Sequence, residues 1–224
     1  MSDIALLIFA VSLFVGGHEL LSHPLRQPLV KAVGEKGFMG IYAVVALGSL
    51  FWAGELWKAI PPDRLWTMPD WAYPFAAALM LLAFILFAGS VATPNPALMG
   101  GGIPGKPGGV QGITRHPMMW AFALWAVVHM AMSADSRTLV LAGGILTLAL
   151  FGSAMQDRKK AANMPGYRDH MARTSFMPFA RQLSGGAPIG SAWPGLVALG
   201  GGLLLWGAML WAHPILIGVS PLRG

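Results

Sequence analysis

ITRHPMMWAFALWAVVHM, residues 113–130, opens on an Arg-His-Pro turn and continues as an apolar run. Pro117 suits the first turn of a helix, where its missing amide proton would have had no partner anyway. From 117 to 134 there is no Asp, Glu, Lys or Arg. Such a helix is long enough to approach the roughly 20 residues that a bilayer core demands. One titratable side chain interrupts it: His129, about 18 Å into the segment by helix rise. A neutral imidazole at that depth must hydrogen-bond or ligate something.

Five other runs read the same way, at 4–22, 38–57, 72–92, 138–155 and 193–213. The composition agrees. The 224 residues are 55% hydrophobic and 11% charged, against about a quarter charged in soluble domains. Trp52, Trp57, Trp66, Trp71, Trp193 and Trp211 fall at or near the ends of the runs, where indoles favour the interface. The expected fold is an all-α polytopic transmembrane bundle of about six spans, one membrane domain over 1–224. The first run lacks the basic n-region and small-x-small site of a cleavable signal peptide.

The formal charge is +6. The basic residues stand between apolar runs, so the expected partner is the bilayer and not nucleic acid. With six spans, segments 23–37, 93–116 and 156–192 share one side. They hold 11 of the 15 Lys and Arg. The positive-inside rule makes that side cytoplasmic and leaves both termini outside it. The basic segment 156–181 is expected to face anionic lipid headgroups.

Between the spans, 23–37 alternates basic and apolar residues and predicts a short surface helix after a proline kink. Segment 93–112 is too rich in Gly and Pro for a regular helix, and reads as a linker or as a loop over a site. Segment 156–181 predicts a helical extension of the fifth span, a Pro-Gly break, a second short helix and a stop at Pro178. Glycines in 142–144 and 198–208 suit close helix contact in lipid.

Ionisable groups inside a membrane are functional candidates. They are His18, Glu19, Glu55 and His129, with His23 and His116 at the inner edge. His170 falls in a cytoplasmic segment and His213 at the outer end of the last span. Gly16 and Gly17 thin the helix before His18, so a large planar group could approach there. The same histidine could instead join Glu19 and Arg26 in a polar cluster. Two histidines on separate helices of a bundle are the donor set of a bis-imidazole haem. Zinc fits poorly, because cysteine is absent and no H-x-x-x-H or H-E-x-x-H spacing occurs. Arg115 and His116 crowd a helix N-terminus, a place suited to an anion or a carboxylate, with Thr114 able to bond a free amide of that turn. They could equally be a basic anchor at the membrane face.

Three stretches carry a resemblance. GGHELLSHPLRQPLVKAVGEKGFMGIYAVVALGSLFW, GITRHPMMWAFALWAVVHM and DRKKAANMPGYRDHMARTSFMPF together resemble, in order, the blocks of the NnrU family of bacterial membrane proteins, whose name derives from denitrification. That family is similar to the plant 15-cis-zeta-carotene isomerase, a haem b membrane protein. The resemblance implies haem b held by His18 and His129, with His116 as the competing ligand and Arg115 beside it. It further implies isomerisation of a carotenoid-like, lipid-soluble polyene or a redox role tied to nitrogen-oxide respiration. By helix rise His18 lies roughly 6–12 Å above the inner edge and His129 roughly 17–19 Å, a gap that helix tilt only partly closes.

Two rival functions remain. Membrane methyltransferases that use S-adenosylmethionine also show an Arg-His-Pro turn, matched by Arg115, His116 and Pro117, with Tyr167 and Pro178 further on. Here Asp157 and basic residues stand where paired glutamates are expected. The other rival is a non-catalytic accessory or sensor protein.

Overall fold

A computed structural model describes residues 2–98 and 101–222. Arg223, one of the four Lys and Arg on the other side, lies outside the described residues. Those residues are helical with no strand. Five helices are long and apolar enough to cross a membrane: α1 (Asp3–Ser22), α2 (Arg26–Ala59), α3 (Ala72–Ala92), the continuous stretch Ser136–Asn163 and α10 (Leu196–Ile217). A sixth apolar helix, α5 (Pro117–Ser133), has 17 residues, about 25 Å of rise. The stretch Ser136–Asn163 comprises α6 (Ser136–Thr147), a π turn at Leu148–Gly152 and α7 (Ser153–Asn163). Short helices α4 (Val110–Ile113), α8 (Tyr167–Arg173) and α9 (Ala180–Leu183) complete the order.

The apolar runs therefore become helices, with two shifts of boundary. The surface segment 23–37 is continuous with the second span, and Gly34, at φ 74° and ψ 170°, breaks the helix between them. Only glycine takes that conformation without strain. The last helix starts at Leu196 and continues past Pro214 to Ile217. Pro214 lies near its C-terminal end, where few turns remain for a proline to disturb.

The chain divides into two compact units. The first comprises residues 1–67 and 129–148. There α1 packs on α2 and α6. Leu7, Ala10, Val11 and Ala53 form its core, flanked by Ile4, Leu56, Trp57, Val140 and Leu141. Gly144 faces Val11 so closely that a methyl group would collide, which is the tight packing that small residues permit in lipid.

One end of this unit is closed by polar contacts. The Arg137 guanidinium donates to the Trp57 and Ile60 carbonyls at 2.9 and 2.7 Å and lies 4.2 Å from the Trp57 ring centroid. The Leu65 amide donates to the Ala134 carbonyl at 2.7 Å, and Trp66 Nε1 to Ala131 O at 2.9 Å. Asp63 accepts from both the amide and the hydroxyl of Ser136; those bonds hold its carboxyl below the usual range.

The second unit comprises residues 68–128 and 149–224. Its main pair is α3 against α10. Gly202 lies where a Cβ would come within 2.6–2.8 Å of Ile85, backbone included. Trp206 Nε1 donates to Ala77 O at 2.9 Å. Ala83, Leu86, Val110, Ile113, Ala121 and Ala198 make the core. The first part of the Gly- and Pro-rich segment is pinned to this unit. Asn95 Nδ2 donates to Ser90 Oγ at 2.7 Å, Gln111 Nε2 to Pro94 O at 2.6 Å, and Lys160 Nζ to Pro96 O.

Candidate functional site

The second unit contains a buried polar centre assembled from three separate segments. Asp157, in the middle of α7, is its hub. One carboxylate oxygen accepts from His116 Nε2 at 2.7 Å and from the Tyr167 hydroxyl at 2.6 Å. The other accepts from Arg115 Nε and Nη2, both at 2.7 Å. Four donors fill the lone-pair sites of an ionised carboxylate, two of them in the forked geometry of a guanidinium. His116 is 0% exposed and Tyr167 1%, so the charge of Asp157 is met almost without water.

Local structure explains the convergence. After α7 the chain turns at Pro165-Gly166, with Gly166 at φ 77°, and α8 brings Tyr167 back toward Asp157. Residues 174–179 then run alongside 113–116. Arg115 N donates to Ser175 O, Phe179 N to Ile113 O, Thr114 Oγ1 to Phe176 O, and Trp120 Nε1 to Phe176 O, at 2.7–2.9 Å. Thr114 Oγ1 also accepts the His116 amide at 3.3 Å, so the expected bond to that turn forms. The Phe176 ring lies edge-on to His116 and 5.6 Å from the Arg115 guanidinium.

His170 is the residue that sequence reasoning missed. It was placed in a loop, yet it sits on α8 with 0% exposure, its ring 5.8 Å from that of Tyr167. Among the described residues, neither of its ring nitrogens has a hydrogen-bond partner, nor has His116 Nδ1. Burial, and then the positive charge of Arg173 and Arg115, push the His170 imidazolium down to about 4. Burial and the Asp157 carboxylate push the Tyr167 phenol above its ordinary value. A Gly-Tyr-Arg-Asp-His stretch directly after a helix-breaking proline was the available signal: Tyr167 and His170 are three apart and share one helix face.

The anion site expected of Arg115 and His116 is therefore occupied by the chain's own carboxylate. The methyltransferase-like residues Arg115, His116 and Tyr167 do converge, but around Asp157 and with almost no exposed surface.

His18 and His129 both belong to the first unit. His18 Nδ1 is 2.8 Å from Phe14 O. A carbonyl accepts only, so Nδ1 carries the proton and Nε2 of the neutral ring keeps its lone pair. Phe14 and Tyr42 meet the ring edge-on, at 4.6 and 5.3 Å between centroids. The alternative cluster with Glu19 and Arg26 does not form: Glu19 faces His23 at 3.5 Å, and Arg26 pairs with Glu35 at 2.5 Å. An imidazole with one nitrogen tied to a carbonyl and the other bearing its lone pair is the donor that haem iron takes.

His129 lies in the last turns of α5, whose end is tied to the segment after α2 by the Leu65 amide on Ala134 O and Trp66 Nε1 on Ala131 O, whereas His18 lies near the C-terminal end of α1. Among the described residues, no group of three or more His, Asp or Glu side chains is arranged to hold a metal ion.

A family model described as NnrU protein matches residues 6–221, nearly the whole chain. No curated protein and no solved structure matches it.

Proposed function

The chain belongs to the NnrU family, and from that premise we propose a haem b protein of the bacterial inner membrane that acts on a lipid-soluble ligand. Its basic segments face the cytoplasm in this reading. One observation carries it: the fixed tautomer of His18, which offers a lone pair from within an apolar helix. Phe14 and Tyr42 hold that ring edge-on, so its direction is set before any ligand arrives. Haem, when bound, would supply an iron able to change axial ligand and redox state.

His129 is the opposite ligand in the family-based reading. Isomerisation of a polyene such as a carotenoid is the reaction this reading favours, because the apolar helix faces open to lipid at Val44, Leu47 and Phe51 would admit such a substrate laterally. The experiment is spectroscopic. Protein purified in detergent should show a reducible b-type Soret and α band, with near-stoichiometric haem by pyridine haemochrome assay. Purified protein that neither retains haem nor takes it up on titration with haemin would overturn the proposal.

A further inference from the structure

The buried centre of the second unit has a property that the haem reading does not use. Its one carboxylate, Asp157, is saturated by four donors. His170 lies in the same centre, fully buried, and among the described residues neither of its nitrogens has a hydrogen-bond partner. The groups facing it are Arg173 and Tyr167 on its own helix, Arg115 and His116 from the segment before α5, and Asp157 on α7. Positive groups predominate, and the carboxylate that could take a second imidazole proton is already saturated. A metal cation would meet the same guanidinium charges, so these nitrogens are a poor cation site.

We propose that α8 and residues 174–179 form an acid-opened cap over Arg115 and His116, released when His170 takes up a proton. Residues 174–179 are held by Arg115 N on Ser175 O, Phe179 N on Ile113 O, the Ser175 hydroxyl on Ile113 O and the Thr114 and Trp120 side chains on Phe176 O, and α8 by Tyr167 on Asp157 and Arg173 Nη1 on Gly105 O. A charged His170 would have to reach water, and α8, only seven residues long, is the element that must move to let it. The direction follows from linkage. An exposed histidine takes its proton near pH 6.5 and the buried one only near 4. The closed form therefore loses ground to the open one as pH falls from about 6.5 toward 4, and is unaffected above that window. Opening would uncover the His116 nitrogen and Arg115 for a ligand from solution.

The test is hydrogen exchange on the full chain in nanodiscs, corrected for the intrinsic pH dependence of exchange, at pH 7.5 and 4.5. Protection of the Arg115 and Phe179 amides should fall at least tenfold at the lower pH. Amides in α10 should change less than twofold. In His170→Gln the fall should shrink to less than twofold. Should that variant not fold, Arg173→Gln serves: it removes an exposed positive neighbour, and the loss of protection should be smaller than in the parent. Equal protection at both pH values overturns the proposal. So does a parallel loss throughout α10, which is global acid unfolding, or an undiminished fall in both variants.

Discussion

His116 Nε2 and Asp157 Oδ1 are 2.7 Å apart although 41 residues separate them in the chain. This bond joins the central block of the sequence to the third. Together with the Arg115 fork it turns two basic residues, apparently poised for an outside anion, toward an internal one. Asp157→Asn should lower stability by about 3–5 kcal/mol, because a guanidinium then stays buried without its counter-charge. A fall in the unfolding midpoint in detergent, with Asp157→Glu intermediate, is the expected result.

Tyr167 contributes a hydrogen bond to the same carboxylate at 2.6 Å. Tyr167→Phe should cost about 1.5–3 kcal/mol, the range for a bond to a charged group. Because the phenol is held above its ordinary value, the variant and the parent should give the same phenolate absorbance at 295 nm up to the pH at which the fold is lost.

Haem content should separate the histidines. His18→Ala should reduce it at least tenfold. A loss of the same size in His129→Ala would identify that ring as the second ligand. His213→Ala, at the other end of the chain, and His170→Ala, in the second unit, should stay within twofold of the parent.

Gly202 and Gly200 offer a packing test inside one helix. A Cβ at 202 comes within 2.6–2.8 Å of Ile85, whereas one at 200 meets nothing within 4 Å. Gly202→Ala should destabilise by about 1–3 kcal/mol through forced separation of α3 and α10. Gly200→Ala should be neutral or slightly stabilising, since alanine is the better helix former. Thermal unfolding of the two variants side by side measures the difference.

Hydropathy made the spans legible because a helix in lipid must be apolar along its whole length, and no tertiary detail alters that demand. Boundaries were less legible. Gly34 hides a break that sequence alone reads as a gap between helices, and Pro214 looks like a stop but sits inside the final turns. His18 was legible as a candidate, since glycines and an apolar run isolate it. The centre around Asp157 was not. Its members come from three segments, and each is polar enough to read as a solvated loop. Only the zipping of 174–179 onto 113–116 buries them. His170 shows the difficulty most clearly: its three-residue spacing from Tyr167 puts both on one helix face, but only the fold shows that this face is buried.

The distance in sequence between His116 and its carboxylate also orders biogenesis. A chain emerging from the ribosome presents Arg115 and His116 and then α5 well before Asp157 is synthesised, and Tyr167 comes ten residues later still. Two cationic or polar side chains must wait at the membrane surface through the insertion of α6. Translation pauses or truncations between 134 and 157 would therefore leave nascent protein with those groups unmatched, a form that quality-control proteases should recognise.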